Sequence, residues 1–317
     1  MKTAFLFPGQ GSQFIGMGVD LYQNFVAARL VFDEVDEALH QHLYRLMSVG
    51  DLTELTQTQN AQPAIMAVGM AVVRTLEQEL GAPLTDKASF MAGHSLGEYT
   101  ALCAAGAMTL IEAAQTLQAR GAAMARAGAT TDGGMLAVLG LDMPTVEQIA
   151  AQASALDEQV VVANDNCVGQ VILSGHSSAL KRAQTLANQA GAKRALPLVV
   201  SGAFHSPYME PAVQEMLPVL GKLALKSTRV PVVANITALP ESDPADVRAN
   251  LAAQITGRVR WTETIGFMNA QGVDTFIECG AGRVLTGLNK RLVPEAMAFS
   301  VGDSAGITAC LTALKNA

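Results

Sequence analysis

A serine between two glycines is the feature of this sequence with the clearest chemical meaning. Residues 93–97 are Gly-His-Ser-Leu-Gly, with Ser95 at the centre, an apolar stretch before them and an alanine-rich segment after them. This order matches the G-x-S-x-G nucleophile elbow, a sharp strand-to-helix turn. The pattern predicts that Ser95 is a nucleophile at a helix N-terminus, where the helix dipole favours developing negative charge. The alternative is a serine that only caps a helix.

A serine nucleophile needs a base, and the histidines are the first candidates. The chain has five: His40, His42, His94, His176 and His205. We predict that the first two lie on the polar face of a long helix and that the third, inside the elbow, points away from Ser95 or lines a pocket. His205 lies between small residues and a proline in Ser-Gly-Ala-Phe-His-Ser-Pro, which is typical of a pocket loop. We therefore predict that His205 is the base; a histidine that caps a turn is the alternative.

The group that orients the base is left open by the sequence. Elbow hydrolases have the order Ser, Asp or Glu, then His. The candidates in that interval, Asp142, Asp157 and Asp165, fall in a segment that we predict to be a separate small domain, so they fit poorly. A backbone carbonyl can orient the imidazole instead.

A glycine-rich turn follows the first predicted strand, at residues 7–13, Phe-Pro-Gly-Gln-Gly-Ser-Gln. Glycines let backbone amides approach a ligand oxygen closely. No Gly-Lys-Ser/Thr follows, so the turn is not a phosphate loop. It can supply one half of an oxyanion hole, with the amide of Leu96 as the other half; an ordinary tight turn is the alternative.

Arg120 is predicted on a buried helix face, because Leu117 and Met124 stand three residues before and four after it. A buried guanidinium requires an anion. The sequence allows two partners, a carboxylate of the protein in a structural ion pair or the carboxylate of an acidic substrate.

Hydrophobic periodicity predicts an α/β protein in two parts. Residues 131–199 follow the order β-α-β-β-α-β, which is typical of a ferredoxin-like unit. We predict that residues 1–130 and 200–317 together form a larger α/β domain, into which residues 131–199 are inserted. The predicted helices of the larger part include residues 23–47 and 62–80, and residues 230–235 are predicted as a buried strand.

Composition excludes several classes of protein. The chain has 317 residues, of which 50% are hydrophobic and 15% charged, so it is not intrinsically disordered. A net charge of −7 argues against a non-specific nucleic-acid binder. The longest apolar run, residues 101–111, is far shorter than the about 20 residues of a membrane helix. The four cysteines are scattered without metal-ligand spacing, so we expect no metal and a reducing, cytoplasmic location.

Seven motifs in order carry a resemblance to a known family. They are FPGQGSQ, GHSLGEY, the Arg-Gly pair at residue 120, ANDN with GQVILSG, GAKRALPL, AFHS and GAGRVLTGL. Together they resemble the malonyl-CoA:acyl carrier protein transacylases of type II bacterial fatty-acid synthesis, over nearly the whole chain. The resemblance implies an α/β-hydrolase-like large subdomain with an inserted ferredoxin-like small subdomain.

The resemblance also implies catalytic roles. Ser95 is expected to accept the acyl group and His205 to act as its general base. Gln254 falls where the family has a glutamine whose main-chain carbonyl orients the histidine. The amides of Gln10 and Leu96 are expected to form the oxyanion hole.

For the substrate, the resemblance implies that Arg120 pairs bidentately with the free malonyl carboxylate. Asn166 matches a pocket asparagine of the family, and His94 is expected to line the site. Phe204, directly before the histidine, goes with malonyl rather than methylmalonyl in related domains. Gly202 departs from the histidine of that longer pattern, so the loop supports malonyl without establishing it.

The partners implied are malonyl-CoA and, transiently, an acyl carrier protein; no cofactor, nucleic acid or membrane is expected, and the protein is expected to act as a monomer. Such carriers are usually acidic, so docking requires a local basic patch on this acidic chain. The candidates are Lys193 with Arg194, Arg258 with Arg260, and Lys290 with Arg291. The alternatives are a serine hydrolase, a scaffold without activity, or the same chemistry in malonate decarboxylation or polyketide synthesis.

Overall fold

The computed structural model describes residues 2–315. Its strands are β1 (Thr3–Phe7), β2 (Phe90–Gly93), β3 (Gly133–Leu139), β4 (Val160–Cys167), β5 (Gln170–His176), β6 (Arg194–Pro197), β7 (Val232–Val233), β8 (Pro240–Glu241), β9 (Thr275–Cys279) and β10 (Met297–Val301). Its first seven α-helices are α1 (Val19–Asn24), α2 (Val26–Leu39), α3 (Leu43–Val49), α4 (Leu52–Thr56), α5 (Thr58–Leu80), α6 (Leu96–Ala104) and α7 (Leu110–Ala129). The remaining helices are α8 (Met143–Ala153), α9 (Ser177–Gln189), α10 (Glu210–Lys222), α11 (Pro244–Gln254), α12 (Trp261–Ala270), α13 (Val284–Leu292) and α14 (Ser304–Lys315).

The larger sheet has the order β10-β9-β1-β2-β7-β8 and is parallel except for the short edge strand β8. Its central strand β1 is buried along its whole length, because helices cover both faces of the sheet. The register places Phe7 beside Gly93 at the carboxyl ends of β1 and β2. Loops at this edge of an open parallel sheet are where ligands bind.

The smaller sheet is antiparallel with the order β4-β5-β3-β6, and α8 and α9 join its strands in the order β-α-β-β-α-β. Its apolar face packs against α8 and α9 in a core of its own. The predicted fold class, a large α/β subdomain with an inserted ferredoxin-like one, is confirmed. The boundaries near residues 131 and 200 stay predictions.

A backbone bridge joins the two subdomains next to the larger sheet. The segment after α11 pairs in parallel with β4 at Asn164 and Val259. The amide of Asp165 donates to the carbonyl of Val259 at 2.9 Å, and the amide of Val259 donates to the carbonyl of Ala163 at 2.8 Å. We call residues 254–260 the bridging segment, because it leaves the large subdomain at Gln254 and contacts the small one at Val259.

Three of the predicted elements are wrong in detail. The predicted helix at residues 23–47 is three helices, because the extended backbone of Phe25, with φ −129°, separates α1 from α2 and His40 ends α2 in the left-handed conformation with φ 50°. The Asp36 carboxylate then accepts from the amide of Tyr44 and starts the next turn, so His40 and His42 lie between helices rather than on one face. Helix α5 begins at Thr58 and contains Pro63, and the strand predicted over residues 230–235 is only two residues long.

Within residues 2–315, no helix has both the length and the apolar character that crossing a bilayer requires.

Candidate active site

The sharp turn predicted around Ser95 is formed between β2 and α6. Ser95 has φ 53° and ψ −109°, in a region that residues other than glycine rarely adopt. A Cβ at Gly93 would overlap the carbonyl of Gly97, and one at Gly97 would overlap that of Phe7, so both flanking positions require glycine. The turn is therefore a strained backbone fixed by close packing, and it places the Ser95 side chain on the wall of a cavity.

Ser95 and His205, which are 110 residues apart in sequence, form a hydrogen-bonded pair. The Oγ of Ser95 lies 2.8 Å from Nε2 of His205. Nδ1 of the same ring lies 2.9 Å from the carbonyl oxygen of Gln254 and 3.1 Å from that of Gly257. A carbonyl only accepts, so Nδ1 carries the proton and Nε2 is free to accept the serine proton.

The orienting groups are thus two backbone carbonyls, and the carboxylates considered from the sequence have other contacts. Asp142 accepts from the amide of Thr145 at the start of α8, at 3.0 Å. Asp165 accepts from the hydroxyl of Thr262 at 2.7 Å, and Asp157 is exposed. The main-chain role that the family implies for Gln254 agrees with this geometry.

His205 is held in its neutral form. Its side chain is almost fully buried, and burial together with the nearby charge of Arg120 lowers its pKa to about 3. A neutral imidazole is the form that can accept a proton from serine.

We expect the reactivity of Ser95 to remain constant over a pH range in which an ordinary histidine titrates. Because the native pKa lies below the usual 6.5, acidification from pH 7 to 5 should leave His205 neutral. The rate at which a neutral fluorophosphonate labels Ser95 measures this without an acidic substrate. Labelling after return to pH 7 is the control for unfolding, and an apparent pKa near 6.5 would contradict the prediction.

Arg120 is 1% exposed, and its guanidinium contacts the Ser95 hydroxyl. Its Nη2 donates to Ser95 Oγ at 3.1 Å and to Gln254 Oε1 at 2.9 Å, and its Nη1 donates to Gln62 Oε1 at 2.8 Å. Nε has no partner within the part of the chain that the structure describes. No ion pair with a carboxylate of the described residues is formed either, so the structural ion pair considered from the sequence is not found. A buried cation beside the serine is left with N–H groups for an anion.

The glycine-rich turn lies against the elbow. The amide of His94 donates to the carbonyl of Phe7 at 3.0 Å, and a Cβ at Gly9 would be only 2.7 Å from the carbonyl of His94. Gln10 and Leu96 both line the cavity that contains Ser95. Neither of their backbone amides has an acceptor among residues 2–315, so both can donate to an oxyanion.

His94 and Asn166 form a second pair beside the nucleophile. Nε2 of His94 lies 2.9 Å from Oδ1 of Asn166, and burial lowers the pKa of His94. Its ring also packs near Trp261, with the centroids 5.6 Å apart. His94 lines the cavity, but Asn166 lies behind it, and Asn164 stands on the wall in its place. Asn166 therefore positions His94 rather than facing the cavity.

The cavity has a volume of about 330 Å³ and receives residues from both subdomains. Its polar floor contains the Ser95 hydroxyl, the His205 imidazole and the Arg120 guanidinium. Its apolar wall includes Met124, Met135, Ile172, Leu198 and Phe204. The cavity therefore places a cation beside a hydroxyl–imidazole pair, with apolar side chains next to them.

Three buried residues that the sequence analysis did not single out support this site: Gln62, Glu98 and Asn235. Gln62 holds Arg120, and the side chain of Asn235 contacts the backbone on both sides of the elbow. Asn235 is the last residue of the strand predicted over residues 230–235, and the carboxyl end of a buried parallel strand is a signal that could have found it. For Gln62 and Glu98, the only signal in the sequence is that a polar residue stands within an apolar helical segment.

The fold and the site define a two-subdomain α/β acyltransferase. The chain belongs to the acyl transferase domain family, whose model matches residues 4–307. The malonyl CoA-acyl carrier protein transacylase of Bacillus subtilis is 42% identical over 99% of this chain and 98% of its own length. That of Escherichia coli K12 is 38% identical, over 98% and 99%. The predicted resemblance is confirmed.

Solved structures agree with this assignment. The acyl-carrier-protein S-malonyltransferase of Bartonella henselae has a TM-score of 0.96 and 48% identity, over 99% of this chain and 100% of its own. A malonyl-transacylase solved in complex with a type II PKS acyl-carrier protein has a TM-score of 0.93 and 38% identity, over 100% of both chains.

Proposed function

We propose that this protein transfers the malonyl group of malonyl-CoA to the phosphopantetheine thiol of an acyl carrier protein, through a malonyl ester of Ser95, and so supplies fatty-acid elongation. The observation that carries the proposal is the 3.1 Å contact between Arg120 Nη2 and Ser95 Oγ. It places an unpaired cation where the free carboxylate of a short dicarboxylic thioester would lie once its carbonyl meets the serine.

In the first half of the reaction, Ser95 attacks the thioester. Its Oγ forms a bond to the carbonyl carbon while Nε2 of His205 takes the hydroxyl proton. The amides of Gln10 and Leu96 hold the oxyanion, and losing one such donor costs about 10²–10³ in rate. When the C–S bond breaks, Nε2 returns the proton to the sulfur, coenzyme A leaves as the thiol, and malonyl-Ser95 remains.

The second half reverses these steps with a different thiol. The carrier's thiol gives its proton to His205, and its sulfur attacks the ester carbonyl. The C–O bond then breaks, Nε2 gives the proton back to Oγ, and the malonyl carrier leaves. The carbonyls of Gln254 and Gly257 point at Nδ1–H and so stabilise the imidazolium in both halves.

Selection of malonyl follows from the charge and shape of the cavity. A malonyl carboxylate can take the free N–H groups of Arg120, whereas acetyl leaves a buried guanidinium without an anion, at a cost of a few kcal/mol. Phe204 lines the cavity with His205, and we propose that its ring disfavours a branched acyl group.

The proposed chemistry requires no metal or redox cofactor, since the chain supplies nucleophile, base, oxyanion donors and a cation. The four cysteines are free and buried thiols, which supports a reducing, cytoplasmic location. We propose that a monomer carries out the reaction with a transiently bound carrier.

The experiment that tests the function is a chase of radiolabelled malonyl-CoA onto purified holo-carrier. We expect label on the carrier thiol and stoichiometric release of coenzyme A. Free malonate in the presence of carrier would instead identify a hydrolase, and carrier binding without label transfer would identify a scaffold.

A polyketide pathway is the second candidate, because one similar structure is a malonyl-transacylase bound to a type II PKS acyl-carrier protein. Parallel chases with a fatty-acid carrier and a polyketide carrier separate the two pathways. A higher kcat/KM for the polyketide carrier would favour the second.

The three candidate docking patches differ in how much of their charge is free. Arg258 pairs with Glu147 at 2.8 Å and Arg260 with Glu263 at 2.5 Å, so that pair is largely neutralised. The other two candidates meet: Lys193 and Arg291 line one depression of about 380 Å³ at the turn between β4 and β5. We call Lys193, Arg194, Lys290 and Arg291, all exposed, the basic patch.

We expect that reversing charge in the basic patch weakens carrier binding alone. Lys193→Glu with Lys290→Glu should raise the KM for an acidic carrier about tenfold and leave the KM for malonyl-CoA unchanged, since exposed charges act mainly on association. The effect should shrink at high salt. Lys222→Glu, the same change on the exposed end of α10, is the matched control. An unchanged carrier KM would show that the carrier docks elsewhere.

A further inference from the structure

The fully buried carboxyl of Glu98 has no place in the reaction steps above. Glu98 is three residues after Ser95, in the first turn of α6, with 0% exposure, and it does not line the cavity. It makes no ion pair within the described residues. A buried carboxyl of this kind is costly, and its contacts therefore need an explanation.

One of those contacts determines the orientation of a side-chain amide. Oε2 of Glu98 accepts from Nε2 of Gln254 at 3.0 Å, and the same Nε2 donates to the carbonyl of Ser95 at 3.0 Å. Oε1 of Gln254 is left facing Arg120, whose Nη2 donates to it at 2.9 Å. In the reversed orientation, the amide oxygen would face two acceptors and the NH₂ group would face a cation. Glu98 thus selects the orientation of Gln254 that holds Arg120.

The second contact holds the elbow. Oε2 of Glu98 also accepts from the backbone amide of Asn235 at 2.7 Å. The side chain of Asn235 in turn accepts from the amide of Ser95 and donates to the carbonyl of Gly93, both at 2.7 Å. One carboxylate oxygen therefore connects the end of β7, the elbow and α11.

The two hydrogen bonds of Glu98 do not require its carboxyl group to be charged. Burial and the neighbouring Glu241 raise the pKa of Glu98 to about 8, and both hydrogen bonds go to Oε2, so a proton on Oε1 leaves them intact. A neutral Glu98 leaves Arg120 with its full charge for a substrate anion.

We infer that Glu98 is a positioning residue, which fixes the amide of Gln254 and the backbone of Asn235 and thereby sets Arg120 and Ser95 for malonyl transfer. The inference rests on the proposed function. It does not make Glu98 a catalytic residue, because Glu98 touches neither the reacting atoms nor the cavity.

A series of three variants tests the inference. Glu98→Gln keeps an acceptor oxygen for both donors and should retain near wild-type transfer. Glu98→Met keeps most of the volume but no acceptor, and should lower kcat/KM for malonyl-CoA about tenfold or more. Glu98→Asp withdraws the acceptor by one methylene and should give an intermediate loss, which keeps the test decisive if the Met variant does not fold.

The readout is the ratio of malonyl to acetyl transfer, measured well below each variant's melting temperature. If Glu98 positions the guanidinium of Arg120, the ratio should fall in the Asp and Met variants and stay near the wild-type value in the Gln variant. A purely structural residue would lower both activities together. An unchanged ratio in Asp and Met, or a Gln variant as impaired as Met, would overturn the inference.

A failure of the proposed function is distinguishable from a failure of this inference. If the wild type transfers no malonyl group, the proposed function fails, and the rate of fluorophosphonate labelling of Ser95 decides the role of Glu98. Slower labelling in the Met variant with recovery in the Gln variant supports positioning, and equal rates in all variants overturn it.

Discussion

Replacement of Arg120 with alanine is expected to reduce malonyl transfer by roughly 10²–10⁴-fold, since breaking a buried charge pair costs about 3–5 kcal/mol. Acetyl transfer should be spared or improved, because the substitution removes the buried cation that an acetyl group leaves without an anion. Arg120→Lys should restore little activity, because an ammonium cannot present two parallel N–H groups to a carboxylate. Steady-state rates with both thioesters measure the effect.

The structure sharpens this prediction. Arg120 has no carboxylate partner among residues 2–315, so alanine leaves no orphaned anion and removes donors from Gln62, Gln254 and the Ser95 hydroxyl. The melting temperature should therefore fall little, as judged against Arg74→Ala in an exposed ion pair. Equal loss of both activities together with a large drop in melting temperature would refute the substrate role.

Ser95→Ala is expected to abolish the covalent intermediate and lower transfer by about 10⁴–10⁶-fold, as removal of a serine nucleophile does elsewhere. Incubation of the wild type with malonyl-CoA, followed by peptide mass spectrometry, should place one malonyl group on Ser95. Asn235 and the flanking glycines hold the elbow independently of the Ser95 hydroxyl, so the variant should remain folded.

Cys103→Ala is the matched control for this experiment. Cys103 is buried on α6, and burial raises the pKa of its thiol to about 12, so it has almost no thiolate at neutral pH. The control should keep both the adduct and the activity. A stable malonyl group on Cys103 or Cys167, with Ser95 unmodified, would overturn the assignment of the nucleophile.

The three side chains that meet in the cavity could be predicted from the sequence because each carries a local signal. Ser95 lies between glycines that the turn requires, and His205 lies in a loop of small residues. Arg120 interrupts an apolar helix face. The residues that support them carry no such signal, because their partners are distant: Gln62 is 58 residues from Arg120, and Asn235 is 140 from Ser95. Hydrogen bonds of this range follow from the packing of elements and not from any local pattern.

The same distinction holds for the fold. The ferredoxin-like unit could be predicted because its elements follow one another within one stretch of chain, each with its own period. In the larger sheet, β1 pairs with β2 and β9, which are far from it in sequence. Strands β7 and β8 have two residues each, too few to show the alternating hydrophobic pattern of a strand. The break at His40 was missed because a left-handed residue other than glycine leaves no trace in hydrophobic spacing.

The bridging segment makes the inserted subdomain unsuitable as an exchangeable cassette. Its first part supplies the carbonyls of Gln254 and Gly257 that orient His205, and its next residues add Val259 to the edge of β4. Recombination that transplants only residues 131–199 would seat a foreign β4 against the native Val259. A mismatch in that pairing would displace Val259, and with it the carbonyl of Gly257, two residues earlier, that contacts the imidazole of His205. A transplanted subdomain should therefore keep the imidazole in place only when β4 and residues 254–260 are exchanged together.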